Sequence, residues 1–243
     1  MIWGSYGIVH IATLVLSVAI IVGLYFILKN RSEKTQTIVL FILSFSGIAA
    51  IIYNLVTWGT PLEYLPFHMC SITAMLLPFA VITKNKIINN LLLFWCLGAL
   101  LALLLNQSVA VANVPSWVFF FYYFPHTLEF GIPILMFALK LAKKDLRCLI
   151  STVSITMGIY TAVHLINVAL NNYFIKNGLD TRVNYMFSSP DPANPVLTLM
   201  AKVVPFDYWY MYVAVPFIVL YLSLVYLPEI IKMIKDAKNK KSA

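Results

Sequence analysis

Six ionisable or nucleophilic side chains lie within stretches that are otherwise apolar: His10, His68, Cys70, His126, Glu129 and His164. A thiol, imidazoles and a carboxylate are the groups that nucleophilic acyl transfer uses, with sulfur as nucleophile and imidazole as base. Spacing sorts them. His126 and Glu129 are three residues apart, on one face of a helix. Pro125, just before them, removes a backbone donor and frees the carbonyl of Phe121. Tyr160, His164, Asn167 and Asn171 follow i, i+4, i+7 and i+11, one continuous polar stripe. His68 and Cys70 point about 200° apart on a regular helix, so they share a pocket only if the chain there is still extended. Cys70 therefore pairs more readily with a histidine from another helix. Pro66 fits the first helical position, which puts Cys70 near the positive end of a helix dipole and favours negative charge on sulfur. An unpaired cysteine near a helix start is more often inert than catalytic. His68, His126, His164 and Glu129 also have the ligand types of a zinc site, although no HxxxH or CxxC spacing accompanies them.

The elements that must carry these groups are membrane spans. The chain has 243 residues, of which 61% are hydrophobic and 11% charged, against about 25% charged in a soluble domain. Seven apolar runs are long enough to cross a bilayer: 6–28, 37–58, 66–83, 87–106, 117–139, 148–172 and 207–228. About 20 residues suffice, and the third run is the shortest. The first run has neither a basic segment before it nor a cleavage site after it, and reads as a retained helix. The expected fold is an all-α membrane protein, a single domain of about seven helices.

Basic residues orient it. Fourteen fall in the segments after runs one, three, five and seven, and only Lys176, Arg182 and Lys202 fall on the other side. The positive-inside rule puts the N-terminus outside and the C-terminus in the cytoplasm, in a plasma membrane. The net charge of +8 follows from this asymmetry and implies no nucleic-acid partner. At about 1.5 Å per residue, all four histidines and Cys70 fall in the outer half of the membrane, as do Asn54, Asn106, Gln107, Asn167 and Asn171. A shared polar pocket would satisfy them together, rimmed by Trp3, Trp58, Trp117 and Trp209. His10 is the weakest member of that group and fits a side chain reaching for the interface. Cys96 and Cys148 lie at other depths and read as buried packing thiols.

The long loop 173–206 contains NYMFSSPDPANP and then VLTLMAKVV. Val196, Leu199, Met200 and Val203 recur at helical spacing, which predicts a short amphipathic helix in the outer interface.

LPFHMC at 65–70, FPHTLEF at 124–130 and NYMF…P at 184–190 resemble the YwaF-like family of bacterial multi-pass membrane proteins. A eukaryotic relative of that family is a transmembrane acyltransferase that moves fatty acyl chains onto ether lysophospholipids. The androgen-induced membrane hydrolases resemble a more distant branch. The resemblance implies a cysteine–histidine pair on spans three and five, Cys70 and His126 here, with His68 as a pocket residue. Three function classes follow. The first is an acyltransferase or lipid hydrolase working through a Cys70 thioester, with Glu129 supporting His126. It would take its acyl chain from an outer-leaflet phospholipid and pass it to a lysolipid or a lipoprotein amine. Tyr160, Asn167 or Asn184 would supply oxyanion donors, and His164 and Tyr185 would line the substrate site. It needs no cofactor. The second is a zinc-dependent hydrolase. The third is a transporter or lipid-binding protein using the same polar groups.

Overall fold

The computed structural model describes residues 6–58, 61–105, 113–190 and 195–241. Trp3, Asn106, Gln107 and part of the proline-rich loop, 191–194, lie outside the described residues. Nine α-helices are described: α1 (Ile8–Leu28), α2 (Glu33–Thr57), α3 (Met69–Thr83), α4 (Lys86–Leu105), α5 (Trp117–Ala138), α6 (Cys148–Lys176), α7 (Pro195–Val203), α8 (Val215–Val225) and α9 (Leu227–Lys241). Short polar side chains start several of them. Ser32 accepts from the Thr35 amide at 3.2 Å, Ser116 from Phe119 at 3.1 Å, and Asn85 from Ile87 at 3.0 Å. These caps satisfy amides that have no partner within the helix.

α5 is the axle of the bundle. It packs against α1, α2, α3 and α4, and its midsection from Thr127 to Glu129 and from Gly131 to Pro133 is buried. A helix surrounded by other helices need not be uniformly apolar, and α5 is the one that carries His126, Glu129 and two internal prolines. The core between α3, α4 and α5 contains Leu77, Val81, Leu92, Trp95, Leu128 and Ile132. The outside is apolar. Ile8 is 87% exposed, Ile150 78% and Phe217 71%, a surface suited to hydrocarbon and not to water. α1, α2, α4 and α6 are each long and apolar enough to cross a membrane, and a fifth crossing follows if the bent pair formed by Trp209–Val225 and Leu227–Lys235 is one span.

Two expected elements differ. The third helix begins at Met69, with His68 as an extended N-cap (ψ 151°), so Pro66 is not its first helical residue. The reason is tertiary: the Leu65 amide and the His68 ring bond to the distant loop around Tyr185 instead of joining a helical turn. The seventh run is broken. A 3-10 segment covers Trp209–Ala214 before α8, and the chain then bends by 64° into α9.

The bundle has a basic end. Lys84 pairs with Glu33, Lys86 with Asp145, and Lys144 with Glu229 at 3.4 Å. These pairs join four segments that are far apart in sequence. The hydrogen bond from Lys86 holds the Asp145 carboxyl below its usual value, helped by the Arg147 amide. At the other end lie Trp58, Trp117 and Trp209, all exposed, and α7, whose Leu199 and Val203 are 64% and 66% exposed. The helix expected at 196–204 is therefore there, with an uncovered apolar face.

His10 does not reach for the surface. It is fully buried. Its Nε2 lies 2.8 Å from the Leu103 carbonyl, and its Nδ1 accepts from the Tyr6 amide at 3.2 Å. It ties the start of α1 to the end of α4 because both ring nitrogens have backbone partners.

Candidate functional site

The first turn of α3 presents Cys70, and the middle of α5 presents His126 and Glu129. One side-chain atom of each, the thiol sulfur, an imidazole nitrogen and a carboxylate oxygen, lie within 4.8 Å of one another. The His126 Nδ1 sits 2.6 Å from the Tyr122 carbonyl. A carbonyl only accepts, so Nδ1 carries the proton and Nε2 is the basic nitrogen. The Tyr122 ring lies 4.4 Å from the imidazole, centroid to centroid, and its hydroxyl donates to the Ala102 carbonyl at 3.0 Å. The imidazole is thus held by its own helix and by a ring anchored on α4.

Glu129 is 4% exposed. Its Oε1 occupies space that Gly47 of α2 leaves open: a Cβ at Gly47 would lie 2.6 Å from that oxygen and 2.5 Å from the Ala74 Cβ. Its Oε2 has no hydrogen-bond partner among the described residues. A buried polar oxygen left unpaired is costly and marks a group kept for something other than packing. Thr73 Oγ1, one turn after Cys70 on the same face of α3, is also buried and has no partner among the described residues.

The remaining expected residues gather a short distance away, around the loop 183–190. His68 accepts from the Met186 amide through Nδ1 at 3.3 Å and packs edge-on against Tyr185. The Asn167 amide donates to the Tyr185 carbonyl at 2.8 Å and to the Ser188 hydroxyl at 2.9 Å, and its oxygen accepts from the Tyr185 amide at 3.0 Å. Asn171 treats Val183 the same way, at 2.9 and 2.8 Å. His164 Nδ1 meets Ser188 Oγ at 3.0 Å. Tyr160 donates to the Tyr208 carbonyl at 3.0 Å. Asn184 closes its own loop on Ser189, at 2.7 and 3.0 Å. The Tyr185 hydroxyl donates to the Leu62 carbonyl and accepts from the Leu65 amide at 3.3 Å. The polar stripe on α6 is as the spacing predicts, but its partner is this loop. Both protons of the Asn167 amide are already used, which leaves none for an oxyanion. His68 and His164 each have a ring nitrogen committed to the loop and lie outside the Cys70–His126–Glu129 cluster, so the zinc-type ligand set differs from the histidine-rich one read from sequence.

Gly47, Tyr122, Ser188, Tyr208 and Tyr210 were not singled out by the sequence. Gly47 had a usable signal: Ser44, Gly47 and Ala50 are small, three residues apart and all buried, a pattern that lets helices approach closely. Tyr122 and Tyr210 had none, because their hydroxyls bond to backbone carbonyls: Tyr122 to Ala102, and Tyr210 to Phe187 and, at 3.1 Å, to Ser189. The cysteine at 96 is buried, with its sulfur 3.1 Å from the Leu93 carbonyl, the packing role expected of it. All three cysteines are unpaired.

No curated protein and no solved structure matches the chain. The sequence profile of a transmembrane family, the TMEM164 family, matches residues 5–226. That match takes in every residue of the cluster and of the loop beside it, and the chain belongs to the TMEM164 family.

Proposed function

We propose that the protein is a seven-span acyltransferase of the plasma membrane, N-terminus outside, with Cys70 as nucleophile and His126 as general base. The observation that carries this reading is the convergence of Cys70, His126 and Glu129 within 4.8 Å. Reacting atoms need about 3.0–3.5 Å, and catalytic contacts commonly tighten only when substrate is bound. His126 Nε2 takes the Cys70 proton. The sulfur adds to the ester carbonyl carbon of a phospholipid. The intermediate collapses by breaking the acyl C–O bond, and His126 returns the proton to the departing lysophospholipid oxygen. The acyl chain is then a thioester on Cys70. An amine or hydroxyl of a lysolipid or lipoprotein, deprotonated by His126, attacks that thioester and restores the thiol. Glu129 lies within 4.8 Å of the imidazole, where its carboxyl holds the ring or relays its proton. The first intrahelical bond of α3 runs from Ile72 to the His68 carbonyl. The earlier N–H groups of that turn point out of the helix and supply the oxyanion donors that this mechanism needs. α3 is 15 residues long, yet with the extended segment before it the chain covers the distance of a short span.

The test is the intact mass of protein purified from membranes or incubated with phospholipid. An added fatty acyl mass is expected, released by neutral hydroxylamine and absent from Cys70→Ala. No adduct under single-turnover conditions would refute the thioester.

The same three ligand types support a second reading, a zinc hydrolase. Tetrahedral zinc with bonds of 2.0–2.3 Å separates its ligands by roughly 3.5 Å, so the cluster needs to close by little to hold one. One equivalent of zinc that is lost in His126→Ala, without any acyl adduct, would favour it.

A further inference from the structure

At the basic end, far along α3 and α5 from Cys70, the surface has an open concavity of about 470 Å³ lined by Lys84, Lys86, Lys140, Lys143, Lys144 and Asp145 around Leu141 and Ala142. Its size is within the range of small-ligand sites. Lys84, Lys86 and Lys144 have carboxylate partners. Lys140 and Lys143 are exposed and make no ion pair among the described residues. Glu33, Asp145 and Glu229 offset three of the five lysines, so Lys140 and Lys143 leave a net excess of two positive charges, in a concave setting where fields concentrate.

The cavity is built, not incidental. Asn90 is buried. It donates to the Lys143 carbonyl at 3.1 Å and accepts from the Asp145 amide at 3.2 Å and from the Tyr226 hydroxyl at 2.5 Å, fixing the 143–145 wall. Lys84 and Lys140 both have left-handed backbone, φ 51° and 62°, at helix ends where glycine is the favoured residue. Attraction to the carbonyl ends of α3 and α5 accounts for a cation at those two positions. It does not account for Lys86, Lys143 and Lys144 in the same concavity.

The surroundings identify the occupant. Lys144 donates to the Val225 carbonyl at 2.8 Å and pairs with Glu229, which ties the rim to the bend between α8 and α9. α9 exposes Met233 (60%) and Ile234 (51%) between Lys232 and Lys235, the composition of a helix lying in an anionic membrane surface. The cavity therefore opens at headgroup depth. We propose that it binds the phosphate headgroup of an anionic phospholipid, with a phosphomonoester such as that of phosphatidic acid fitting the charge excess best. Only the leaflet, the cytoplasmic one, rests on the orientation proposed above; the binding itself does not.

The experiment is native mass spectrometry of the detergent-solubilised protein titrated with phosphatidic acid or with phosphatidylcholine of the same chains. One phosphatidic acid should be retained at a concentration at least about tenfold below that needed for phosphatidylcholine, by the usual contribution of lysines near anionic lipid. Lys140→Gln with Lys143→Gln should weaken retention by roughly thirtyfold, and Lys140→Arg with Lys143→Arg should preserve it. Lys232→Gln, which removes a cation of the same surface outside the cavity, should change it by less than about threefold. Cys70→Ala should bind as the native protein does, which separates this site from the proposed chemistry. Equal retention of the two lipids would overturn the proposal. So would a Lys232→Gln loss as large as that of the glutamine pair, since the effect would then be diffuse charge. Displacement of the lipid by millimolar inorganic phosphate would show a soluble phosphate to be the ligand and overturn the lipid assignment.

Discussion

A nucleophile and its base act as one unit, so their losses should not add. Cys70→Ala should lower acyl transfer by about a thousandfold or more, and His126→Ala by nearly as much. The double variant should fall little further, measured as turnover of a labelled phospholipid. Cys70→Ser should keep a trace, because a hydroxyl ionises far less readily than a thiol. Cys96→Ala is the control: it packs beside Leu93 and Tyr221 and should leave turnover intact. Full activity in Cys70→Ala with loss in His126→Ala would move the chemistry to a histidine or a metal. Gly47 offers a different test. Its missing Cβ makes room for Glu129 Oε1 and Ala74. Gly47→Ala should cost about 1–3 kcal/mol of stability through overpacking and lower turnover even in the molecules that fold. A variant as active and as stable as the native protein would mean that α2 yields easily and that the carboxylate is not held from that side.

At the scale of elements, α6 and the loop 183–190 form a unit. Asn167 and Asn171 offer their side-chain amides to the loop backbone as a neighbouring strand would. Two consecutive loop residues, Met186 and Phe187, have φ near +50°, a cost that those contacts offset. Asn167→Ala should raise hydrogen exchange at the Tyr185 amide by roughly tenfold or more, as loss of a buried hydrogen bond does, while the α4 amides stay protected. Unchanged exchange at Tyr185 would show that the loop is held without α6. This element also marks how far sequence reasoning reached. The α6 stripe and the α7 helix were legible, because periodicity carries them; spacing alone pointed Cys70 only to a histidine of another helix, and the choice of His126 came from the family resemblance. What faced the stripe was not. Asn, His and Tyr side chains bond as readily to backbone as to substrate, and backbone leaves no pattern in a sequence. The start of α3 was misplaced for a related reason: Pro66 has the right type for a first helical residue, but the tertiary bonds of Tyr185 and His68 set the boundary.

For the whole molecule, the ion pairs Lys84–Glu33, Lys86–Asp145 and Lys144–Glu229 draw the basic segments to one end, and the exposed tryptophans mark the other. This polarity, combined with the positive-inside rule, predicts the result of reporter fusions. A reporter active only in the cytoplasm should work after Ala243. It should be silent when inserted at Gly178, an exposed turn with φ 65° outside the packed loop. The reverse pattern would turn the molecule over, and with it the leaflet that supplies the acyl chain.

Vectorial synthesis gives the loop one more property. The ribosome delivers His68 first, then the asparagines of α6, and only afterwards residues 183–190. Most of the groups that shape the loop exist before the loop itself emerges. The late arrivals are Tyr208, whose amide donates to the Ser188 carbonyl at 2.6 Å, and Tyr210. The loop can settle on a finished template during biogenesis and is fastened from the far side last, when the segment before α8 leaves the ribosome.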